Sequence, residues 1–521
     1  MMPSVINKLV YELFKEGKVV ILPTGLIKNI KTHYSALSWT TKFGKPQGRL
    51  IGDTSATESG TPLNSQEVKE MFDKNFGNIH HPTIVDISRM IYDEAEKIGW
   101  ENAILWKMDL KGAFTLLYVL PEDVPLLSFE LTNNLTVMHH TGMFGYTGMP
   151  GCFDVISRVL CRNIQKLLHG RCKIYVDDII SVCHTEHLED DQETTGDYCE
   201  GLLGPVAVAE DKTKSGRSLD VIGWNICLDT RKVGIARNNM LKTFYGLMTL
   251  DELSPVTLED LQRVASWAAR YSLVCRQLRP FTRALYSCIQ HYTNKYVKIK
   301  LSDEAASTIQ MWRCFFVFLE INPNTYKRDI KSFVHYEPSY VLEYDASLTG
   351  VGIILFIIDN NKEEKEWKVI QKDYNYNIGS QSKYQNTVEF IGIVLGMVAL
   401  SLLGVRNTSV VIRGDNKSSL KWGLTENYKS ILSRRASLVL TTTILKSNIL
   451  IEDQIHIAGV HNVRCDRLSR RTASPEDLGF NPDQILDHSK FDCIIKYCDP
   501  TVGVINPEEV KNMWKELNFL L

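Results

Sequence analysis

Two adjacent carboxylates, Asp177 and Asp178, are the residues of this chain best suited to chemistry. β-Branched and apolar residues flank the pair at 173–174 and 179–182, so we expect it at the tip of a hairpin between two strands. Neighbouring acids repel each other, and divalent cations neutralise that repulsion in sites that transfer phosphoryl groups through two metal ions. An Asp-Asp surface turn is the alternative, because turns favour Asp.

A third acid, Asp109, ends an expected strand at residues 106–110, about 70 residues before the pair. A polymerase holds two magnesium ions with one acid from each of two neighbouring strands. Phe114 follows the first acid by five residues, where an aromatic ring would lie under the incoming sugar; a core aromatic is the alternative. The pattern predicts Asp109 and Asp177 as shared metal ligands, with Asp178 beside them.

These residues resemble those of reverse transcriptases, in which a strand acid, an aromatic gate and a Tyr-x-Asp-Asp hairpin form the palm. The resemblance implies that Phe114 is the steric gate that excludes the ribose 2′-hydroxyl. Residues 42–53 are similar to the fingers hairpin of that family. Two cations of this segment, Lys42 and Arg49, are the expected triphosphate ligands, since Arg offers phosphate a bidentate fork. A solvated basic hairpin is the alternative.

Two further segments extend the resemblance. Residues 143–150 are similar to the Pro-Phe-Gly-x-x-x-Ala-Pro segment of long-terminal-repeat retroelement polymerases, with Met143 and Met149 in place of Pro and Ala. Lys212 precedes a Gly-Trp passage that resembles the close of the palm, where a lysine could protonate the departing pyrophosphate. Lys214 is nearly as good a candidate, and a surface lysine is equally open.

A second constellation of acids follows a Pro- and charge-rich passage at residues 322–338, which reads as a linker. Its members fall on separate expected elements: a strand, the start of a long helix, the end of another strand and a later segment. Four converging carboxylates need a counter-charge, so a second two-metal site is expected. The four acids are Asp345, Glu389, Asp415 and Asp466.

The order of these acids resembles ribonuclease H. Residues 456–470 are similar to the His-x-Pro-Gly-x-x-Asn-x-x-Ala-Asp-x-Leu-Ser-Arg ending of retroelement ribonuclease H domains, with Ala458 for Pro and Cys465 for Ala. The resemblance implies that His456 is a mobile histidine that helps the product leave and that His461 is incidental. Other details of residues 210–281 look most like those of tyrosine-recombinase (DIRS-like) retrotransposons, and the resemblance implies a fragment of an LTR-type retrotransposon polyprotein.

The elements that position these residues predict an α/β (α+β) fold. The resemblance implies a right-hand polymerase of fingers, palm and thumb, followed by a ribonuclease H-like mixed-sheet domain. We expect fingers and palm at 1–232, a helical thumb or connection with a linker at 233–335, the nuclease-like domain at 336–473 and a loosely built C-terminal tail at 474–521. Basic residues with interleaved aromatics at 261–285 suit a thumb that grips duplex phosphates, and an ordinary exposed helix is the alternative.

Composition is that of a globular protein: 521 residues, 44% hydrophobic and 23% charged, with a net charge of -2. The longest apolar run, at 390–405, reads as a buried helix, so no membrane partner is expected. Twelve cysteines without a CxxC pair indicate free thiols in a reducing compartment, and thus a cytoplasmic or nuclear, intracellular location. A zinc site from Cys183, His184, His187 and Cys199 is the weaker alternative.

The predicted function is that of an RNA-directed DNA polymerase (reverse transcriptase) with ribonuclease H activity. The expected cofactor is Mg²⁺, two per active site, with Mn²⁺ as the alternative metal. The expected partners are an RNA template, a DNA primer, the RNA/DNA hybrid and deoxynucleoside triphosphates. A catalytically decayed or domesticated retroelement protein that only binds nucleic acid is the rival, and a polymerase with an idle nuclease half is a third interpretation.

Overall fold

The structure is a computed structural model that describes residues 2–42, 45–57, 62–77, 79–132, 134–251, 254–274, 276–290, 292, 294, 296–321, 327–334, 337–379, 382–425, 431–502 and 507–517. The chain forms two compact units. Unit 1 comprises Met1–Val233 with Asp329–Val334, and unit 2 comprises Gly234–Arg328 with His335–Leu521. Both contain helices and strands, so the predicted α/β character is confirmed.

Unit 1 combines helices with short strands. Its elements are α1 (Met2–Lys15), β1 (Val19–Pro23), β2 (Ser35–Lys42), β3 (Lys45–Thr57), α2 (Gln66–Phe76), α3 (Ile84–Ile98), β4 (Ala103–Leu110), β5 (Ser128–Leu131), β6 (Leu135–His139), α4 (Met149–Leu167), β7 (Arg171–Tyr175), β8 (Asp178–His184), α5 (Leu188–Leu203), β9 (Val208–Gly216), β10 (Ser218–Val221), β11 (Trp224–Cys227) and β12 (Lys232–Ile235), the last of which crosses the boundary between the units.

The central sheet of unit 1 has the strand order β7-β8-β4-β9, and its neighbouring strands are antiparallel. Side chains alternate along a strand, and β4 buries Trp106, Met108 and Leu110 in the core formed with α4. Asp109 therefore points to the other face of the sheet. Elsewhere in unit 1, β1-β6-β5 form a second sheet and β2-β3 a hairpin.

Unit 2 begins with a helical region and continues with a sheet and its covering helices. Its elements are α6 (Arg237–Thr249), β13 (Val256–Thr257), α7 (Leu258–Val274), α8 (Arg283–Ile289), β14 (Lys298–Ile299), α9 (Asp303–Ile321), β15 (Arg328–Asp329, at the unit boundary), β16 (Tyr340–Ala346), β17 (Gly350–Ile358), β18 (Glu364–Asp373), α10 (Gln385–Leu402), β19 (Thr408–Gly414), α11 (Lys417–Thr425), α12 (Arg434–Ser447), β20 (Ile449–His456), α13 (Val463–Ser469), α14 (Ser489–Tyr497) and α15 (Pro507–Glu516).

The five-stranded sheet of unit 2 is mixed, with the order β18-β17-β16-β19-β20. β17 runs antiparallel to both β16 and β18. On the other side of β16, β19 pairs in parallel with both β16 and β20. α10 packs on β16 and buries nearly every side chain from Thr387 to Leu400. One described helix, Ser382–Leu402, is apolar and long enough to cross a membrane, but 78% of its most apolar window is buried inside the protein.

The C-terminal segment differs from the loosely built tail that its prolines suggest. α14 buries Phe491 in the core of unit 2, and in α15 the indole of Trp514 donates to Thr442 Oγ1 at 2.9 Å. Pro507 is the first residue of α15, a position where its missing N–H costs nothing. The prolines thus mark helix starts and turns in a segment that is part of the core.

The basic helical stretch also differs from its interpretation as a surface with interleaved aromatics. Tyr271 and Phe281 are buried in the hydrophobic core of unit 2. Arg263 pairs with Glu259 and Asp260 of its own helix, each at 3.1 Å. These two aromatic rings therefore stabilise the helices rather than line a nucleic-acid surface.

Candidate active sites

Asp109, Asp177 and Asp178 come together in unit 1, and we call this group the hairpin site. Asp178 opens β8 and lies directly opposite Asp109 of β4, while Asp177 lies in the turn between β7 and β8. Each carboxylate offers an oxygen, and these oxygens all lie within 4.8 Å of one another. The predicted metal ligands of the first constellation are thus neighbours in space, supplied by adjacent antiparallel strands.

The turn that carries Asp177 is held from both sides. Val176 has a φ of 56°, a value that β-branched residues rarely adopt. The Ser157 hydroxyl of α4 lies 2.9 Å from the Val176 carbonyl oxygen, to which it donates, and the Leu110 N–H donates to the Asp177 carbonyl oxygen at 2.9 Å. Such a conformation persists where its surroundings hold it, which is common at functional sites.

The electrostatics of the hairpin site favour a bound cation. Burial, followed by the charges of Asp177 and Asp109, raises the pKa of Asp178 to about 6. The ammonium of Lys212 bonds to Asp109, so a positive charge already lies among the acids. Lys212 projects from a part of β9 where the pairing with β4 shifts by several residues. An ammonium stands in here for the cation that such a carboxylate group attracts.

Phe114 lies in a 3₁₀ turn, Ala113–Leu116, that follows β4. Its half-buried ring packs against Phe144, with ring centroids 5.1 Å apart, and against Phe153 at 5.9 Å. The ring is thus wedged between the 143–150 loop and α4. The ring closes the core at this point, and its turn follows the strand that carries Asp109, so both interpretations of Phe114 remain open.

The 143–150 loop docks on strand β3 of the β2-β3 hairpin. Gly52 N donates to the Phe144 carbonyl oxygen at 2.9 Å, and a Cβ at Gly145 (φ 111°) would lie only 1.9 Å from the Gly52 carbonyl oxygen. Only glycine fits there. The backbone of Lys42 and Arg49 belongs to the same hairpin, whereas the side chains of these two predicted triphosphate ligands lie outside the described part of the structure.

Asp345, Glu389 and Asp415 come together in unit 2, and we call this group the cleft site. Asp345 lies in β16, Glu389 in α10 and Asp415 just after β19, and one oxygen of each lies within 4.8 Å of the others. The cleft above them has a volume of about 700 Å³ and is also lined by Gln385 and Arg470. Three of the four acids predicted for the second constellation therefore share one opening.

Two acids of the cleft site are buried. Burial, together with the charges of Asp415 and Asp466, raises the pKa of Asp345 to about 6 despite a hydrogen bond from Ser469. Burial, then the charges of Asp345 and Asp415, raises the pKa of Glu389 well above its usual range. Glu389 is only 4% exposed, yet its Oε2 has no hydrogen-bond partner among the described residues.

The fourth predicted acid, Asp466, lies in α13 at the margin of this group. Its Oδ1 accepts a hydrogen bond from Arg470 Nε at 2.5 Å. Asp466 nevertheless acts electrostatically on the cleft site, because its charge raises the pKa of both Asp345 and Asp415. The structure thus separates three clustered acids from one that is paired with an arginine.

His456 ends β20 next to the cleft site. Its side chain is exposed, and its ring Nε2 lies 3.0 Å from the backbone oxygen of Asp415. The strand pairing places His456 opposite Gly414, the residue before this acid. The predicted histidine is therefore beside the acids and accessible to solvent.

Residues that the sequence interpretation left without a role hold the cleft site in place. Ser469 Oγ donates to Asp345 Oδ2 at 2.5 Å, and Gln385 Nε2 donates to Glu389 Oε1 at 3.1 Å. The buried amide of Asn462 donates to the Tyr344 carbonyl oxygen at 3.0 Å, which ties the segment before α13 to β16. The position of Gln385, one helical turn before Glu389, was the available signal.

α13 approaches the sheet closely enough to require glycine. A Cβ at Gly352 of β17 would lie 2.4 Å from Leu468 Cβ and 2.6 Å from the Cys465 carbonyl oxygen. This close contact carries Asp466 and Ser469 to the end of β16. Gly352 thus allows Asp466 of α13 to lie near Asp345 of β16.

Both groups consist of carboxylate oxygens, the ligands that hard divalent cations prefer. The unpartnered oxygen of Glu389 and the Lys212 ammonium bonded to Asp109 both fit a site built for positive charge. The two acidic clusters could therefore hold metal ions.

Comparisons with known proteins give structural similarities only. No protein-family model and no curated protein matches the chain. The chain is similar to foamy viral protease-reverse transcriptase in complex with an RNA/DNA hybrid (TM-score 0.44, 14% identity, 88% of this chain and 54% of that chain). It is also similar to the same protein with dsDNA (TM-score 0.43, 15% identity, 87% and 83%). The chain spans about half the length of the first of these structures.

Proposed function

We propose that the chain is an RNA-directed DNA polymerase joined to a ribonuclease H, encoded by a retroelement. The observation that carries the proposal is the presence of two separate carboxylate clusters, each with three acids from different elements within 4.8 Å. Isolated groups of three acids are costly without a counter-charge. Two such groups, one followed in the chain by an aromatic residue and the other with a histidine beside it, suit nucleotidyl transfer and phosphodiester cleavage.

The hairpin site is the proposed polymerase centre. Asp109 and Asp177 would hold the metal ions, with Asp178 in support, and Phe114 would exclude a ribose 2′-hydroxyl. Lys42 and Arg49 are the proposed triphosphate ligands. Lys212 keeps its proposed role as a proton donor to pyrophosphate, and its bond to Asp109 supports a position beside the acids.

The cleft site is the proposed nuclease centre. Asp345, Glu389 and Asp415 would bind metal, and Asp466 would join them on exchange of its bond to Arg470. His456 is exposed beside Asp415, which suits a residue that assists product release. The order and directions of strands β16–β20 agree with the mixed sheet that this class of nuclease implies.

Mg²⁺, or Mn²⁺ in its place, is the proposed cofactor of both centres. When bound, such ions activate a hydroxyl nucleophile and neutralise charge on the phosphate. The protein's own contribution is to fix the carboxylates: Ser469 orients Asp345 and Gln385 orients Glu389. Ser157 holds the turn that carries Asp177.

The proposed substrates are an RNA template, a DNA primer, deoxynucleoside triphosphates and the resulting hybrid. Residues 1–232 would form fingers and palm, 233–335 the thumb or connection, and 336–473 the nuclease domain, with 474–521 as a C-terminal segment. Hybrid binding through phosphates and 2′-hydroxyls would be independent of sequence and weakened by salt. An intracellular location belongs to the same proposal.

Primer extension on an RNA template tests the polymerase assignment. Removing a metal ligand costs several kcal/mol of transition-state stabilisation, so Asp177→Asn and Asp178→Asn are each expected to lower the rate roughly 100- to 1,000-fold. Asp197→Asn, an exposed acid of α5, is the matched control and keeps the parental rate. A parent without extension, or mutants that extend normally, would overturn the assignment.

Cleavage of labelled RNA in a hybrid tests the nuclease assignment. Asp415→Asn and Glu389→Gln are expected to lose cleavage and keep primer extension, whereas Asp483→Asn, an exposed acid of unit 2, keeps both. Extension without cleavage in the parent would indicate an idle nuclease. Hybrid binding without either activity would favour the non-catalytic rival.

A further inference from the structure

One arginine of the cleft site, Arg470, has no function of its own in the catalytic assignment. It follows α13 directly and lines the cleft together with Asp345, Glu389 and Asp415. Its side chain is 62% exposed, so the guanidinium is accessible to solvent and to a substrate. A positive charge thus lies at the opening of a site that is made of carboxylates.

The charge of Arg470 acts on three of the four acids of the second constellation. Its Nε donates to Asp466 Oδ1 at 2.5 Å. This hydrogen bond, followed by the charges of the acids, raises the pKa of the guanidinium. The positive charge in turn opposes the effect of burial on the pKa of Asp345 and of Asp415. The guanidinium is therefore a counter-charge that these acids share.

The bond between Arg470 and Asp466 is easily exchanged. The two side chains are 62% and 38% exposed, and exposed ion pairs contribute little net stability. Within the described part of the chain, Nε is the only nitrogen of this guanidinium that has a hydrogen-bond partner. Both terminal nitrogens are therefore available, and together they form the planar fork that binds a phosphate through two hydrogen bonds.

The charge of this arginine cannot be removed by a change of pH, because a guanidinium stays protonated in proteins. The counter-charge therefore leaves Asp466 only when the side chain moves. Two positive charges near the same carboxylates repel each other. Binding of a divalent ion by the three clustered acids would consequently drive the guanidinium away and draw Asp466 toward the ion.

We propose that Arg470 is an internal counter-ion of the cleft site that competes with the divalent ion for Asp466 and, once displaced, binds a phosphate of the RNA/DNA hybrid. The proposal rests on the proposed function of the cleft site as a nuclease centre. Because the phosphate offsets the cost of releasing the guanidinium, the ion and the hybrid should each tighten the binding of the other by the same factor. Arg470 is thus a positioning residue, which favours a complete group of four acids only when metal ion and substrate are both bound.

An ordinary ion pair on a helix surface is the alternative role for this arginine, since Asp466 and Arg470 are four residues apart at the end of α13. The two roles predict opposite effects of Arg470→Gln on metal binding. A surface pair only stabilises α13, so its loss would leave the affinity for the ion unchanged or lower it. A competing cation weakens that affinity, so its loss would raise it.

Calorimetric titration of the full chain with Ca²⁺, a hard ion that binds carboxylate oxygens, tests the competition. Asp177→Asn/Asp178→Asn serves as the background protein, so that the hairpin site contributes little binding. Without nucleic acid, adding Arg470→Gln to this background is expected to tighten Ca²⁺ binding about 3- to 10-fold. Arg470→Lys keeps the charge and loses the fork, so it is expected to retain the Ca²⁺ affinity of the background protein.

Binding of a labelled RNA/DNA hybrid at constant ionic strength tests the contact with phosphate. Ca²⁺ is expected to tighten hybrid binding by the background protein roughly 5- to 20-fold, and by its Arg470→Gln variant less than about twofold. Arg467→Gln, the same substitution at an exposed arginine of α13, is the matched control and is expected to keep the Ca²⁺ affinity and the response of hybrid binding.

An Arg470→Gln variant that binds Ca²⁺ no more tightly than the background protein would overturn the proposal. Equal responses of hybrid binding to Ca²⁺ in the two proteins would also overturn it. Failure of the proposed function gives a different result: a parent that cleaves no hybrid in Mg²⁺ removes the nuclease assignment, while the Ca²⁺ titration still decides the competition. A background protein that binds no Ca²⁺ at the cleft site would overturn both.

Discussion

Asp345→Asn is expected to make the metal-free protein more stable while it removes a metal ligand. Asp345 is 5% exposed and shares the cleft site with Glu389 and Asp415. Burial and the charges of nearby acids raise its pKa from 3.8 to about 6. Asn keeps the size of the side chain and an acceptor for Ser469, but it carries no charge. The substitution therefore removes an ionised group that the metal-free fold tolerates poorly.

The size of the effect follows from the change in pKa. A carboxyl whose pKa rises from 3.8 in the unfolded chain to about 6 in the folded protein costs about 3 kcal/mol once it is ionised in both states. The folded state holds the proton more tightly, so the favourable contribution is present below pH 3.8 and is lost as the pH rises through 6. Because the Asn amide carries its own cost of burial, we expect a net gain of about 1–3 kcal/mol at pH 8, and a gain smaller by about 1.4 kcal/mol at pH 5.

Thermal unfolding in the presence of EDTA measures this gain. A domain of this size shifts its Tm by about 2–4 °C per kcal/mol, so the unit 2 transition of Asp345→Asn is expected roughly 2–12 °C above that of the parent at pH 8. Mg²⁺ is expected to raise the Tm of the parent and to have little effect on the variant. Asp483→Asn, an exposed control, follows the parent throughout. Equal Tm values in EDTA, or equal stabilisation by Mg²⁺, would refute the reasoning.

Three further substitutions probe other parts of the structure. Gly352→Ala would place a Cβ 2.4 Å from Leu468 Cβ, so α13 must move. We expect the free energy of unfolding, measured in urea, to fall by about 1–3 kcal/mol and hybrid cleavage to slow. Parental values for both would contradict the contact. Trp514→Ala removes a 1% exposed indole and leaves Thr442 without the hydrogen bond that this indole donates. The free energy of unfolding should therefore fall by roughly 3–5 kcal/mol, whereas a loose tail would show no change. Phe114→Val is expected to raise ribonucleotide incorporation in primer extension relative to deoxynucleotide, and unchanged selectivity would leave the ring with a core role only.

Local pattern was enough to place the first constellation. Alternation along β4 puts Trp106, Met108 and Leu110 on the core side, and Asp109 must then face the other way. β-Branched residues on both sides of Asp177 and Asp178 specify a hairpin, whose pairing brings Asp178 opposite Asp109. The apolar run at 390–405 likewise located α10, although the helix itself spans Gln385–Leu402.

Short-range signals failed where long-range packing determines the outcome. α12 carries only a weak helical signal in the sequence, because its polar and β-branched residues, such as Thr441 and Thr443, have low helix propensity. Burial against the rest of unit 2 outweighs that propensity. The C-terminal prolines suggested a loose tail, yet Trp514 and Phe491 lie in the core. Propensity describes a segment by itself, whereas the energy of these helices comes from distant partners.

The sequence by itself determined which residue types stand on which elements: acids at strand ends, an aromatic after the first acid and a histidine before the last. Only the tertiary structure decided which of them meet. It joined Glu389 to Asp345 and Asp415, paired Asp466 with Arg470, and stacked His169 on His187. The physical reason is that side-chain direction repeats with a short, local period along a helix or strand. The distance between two side chains depends instead on how elements that are distant in the sequence pack against each other.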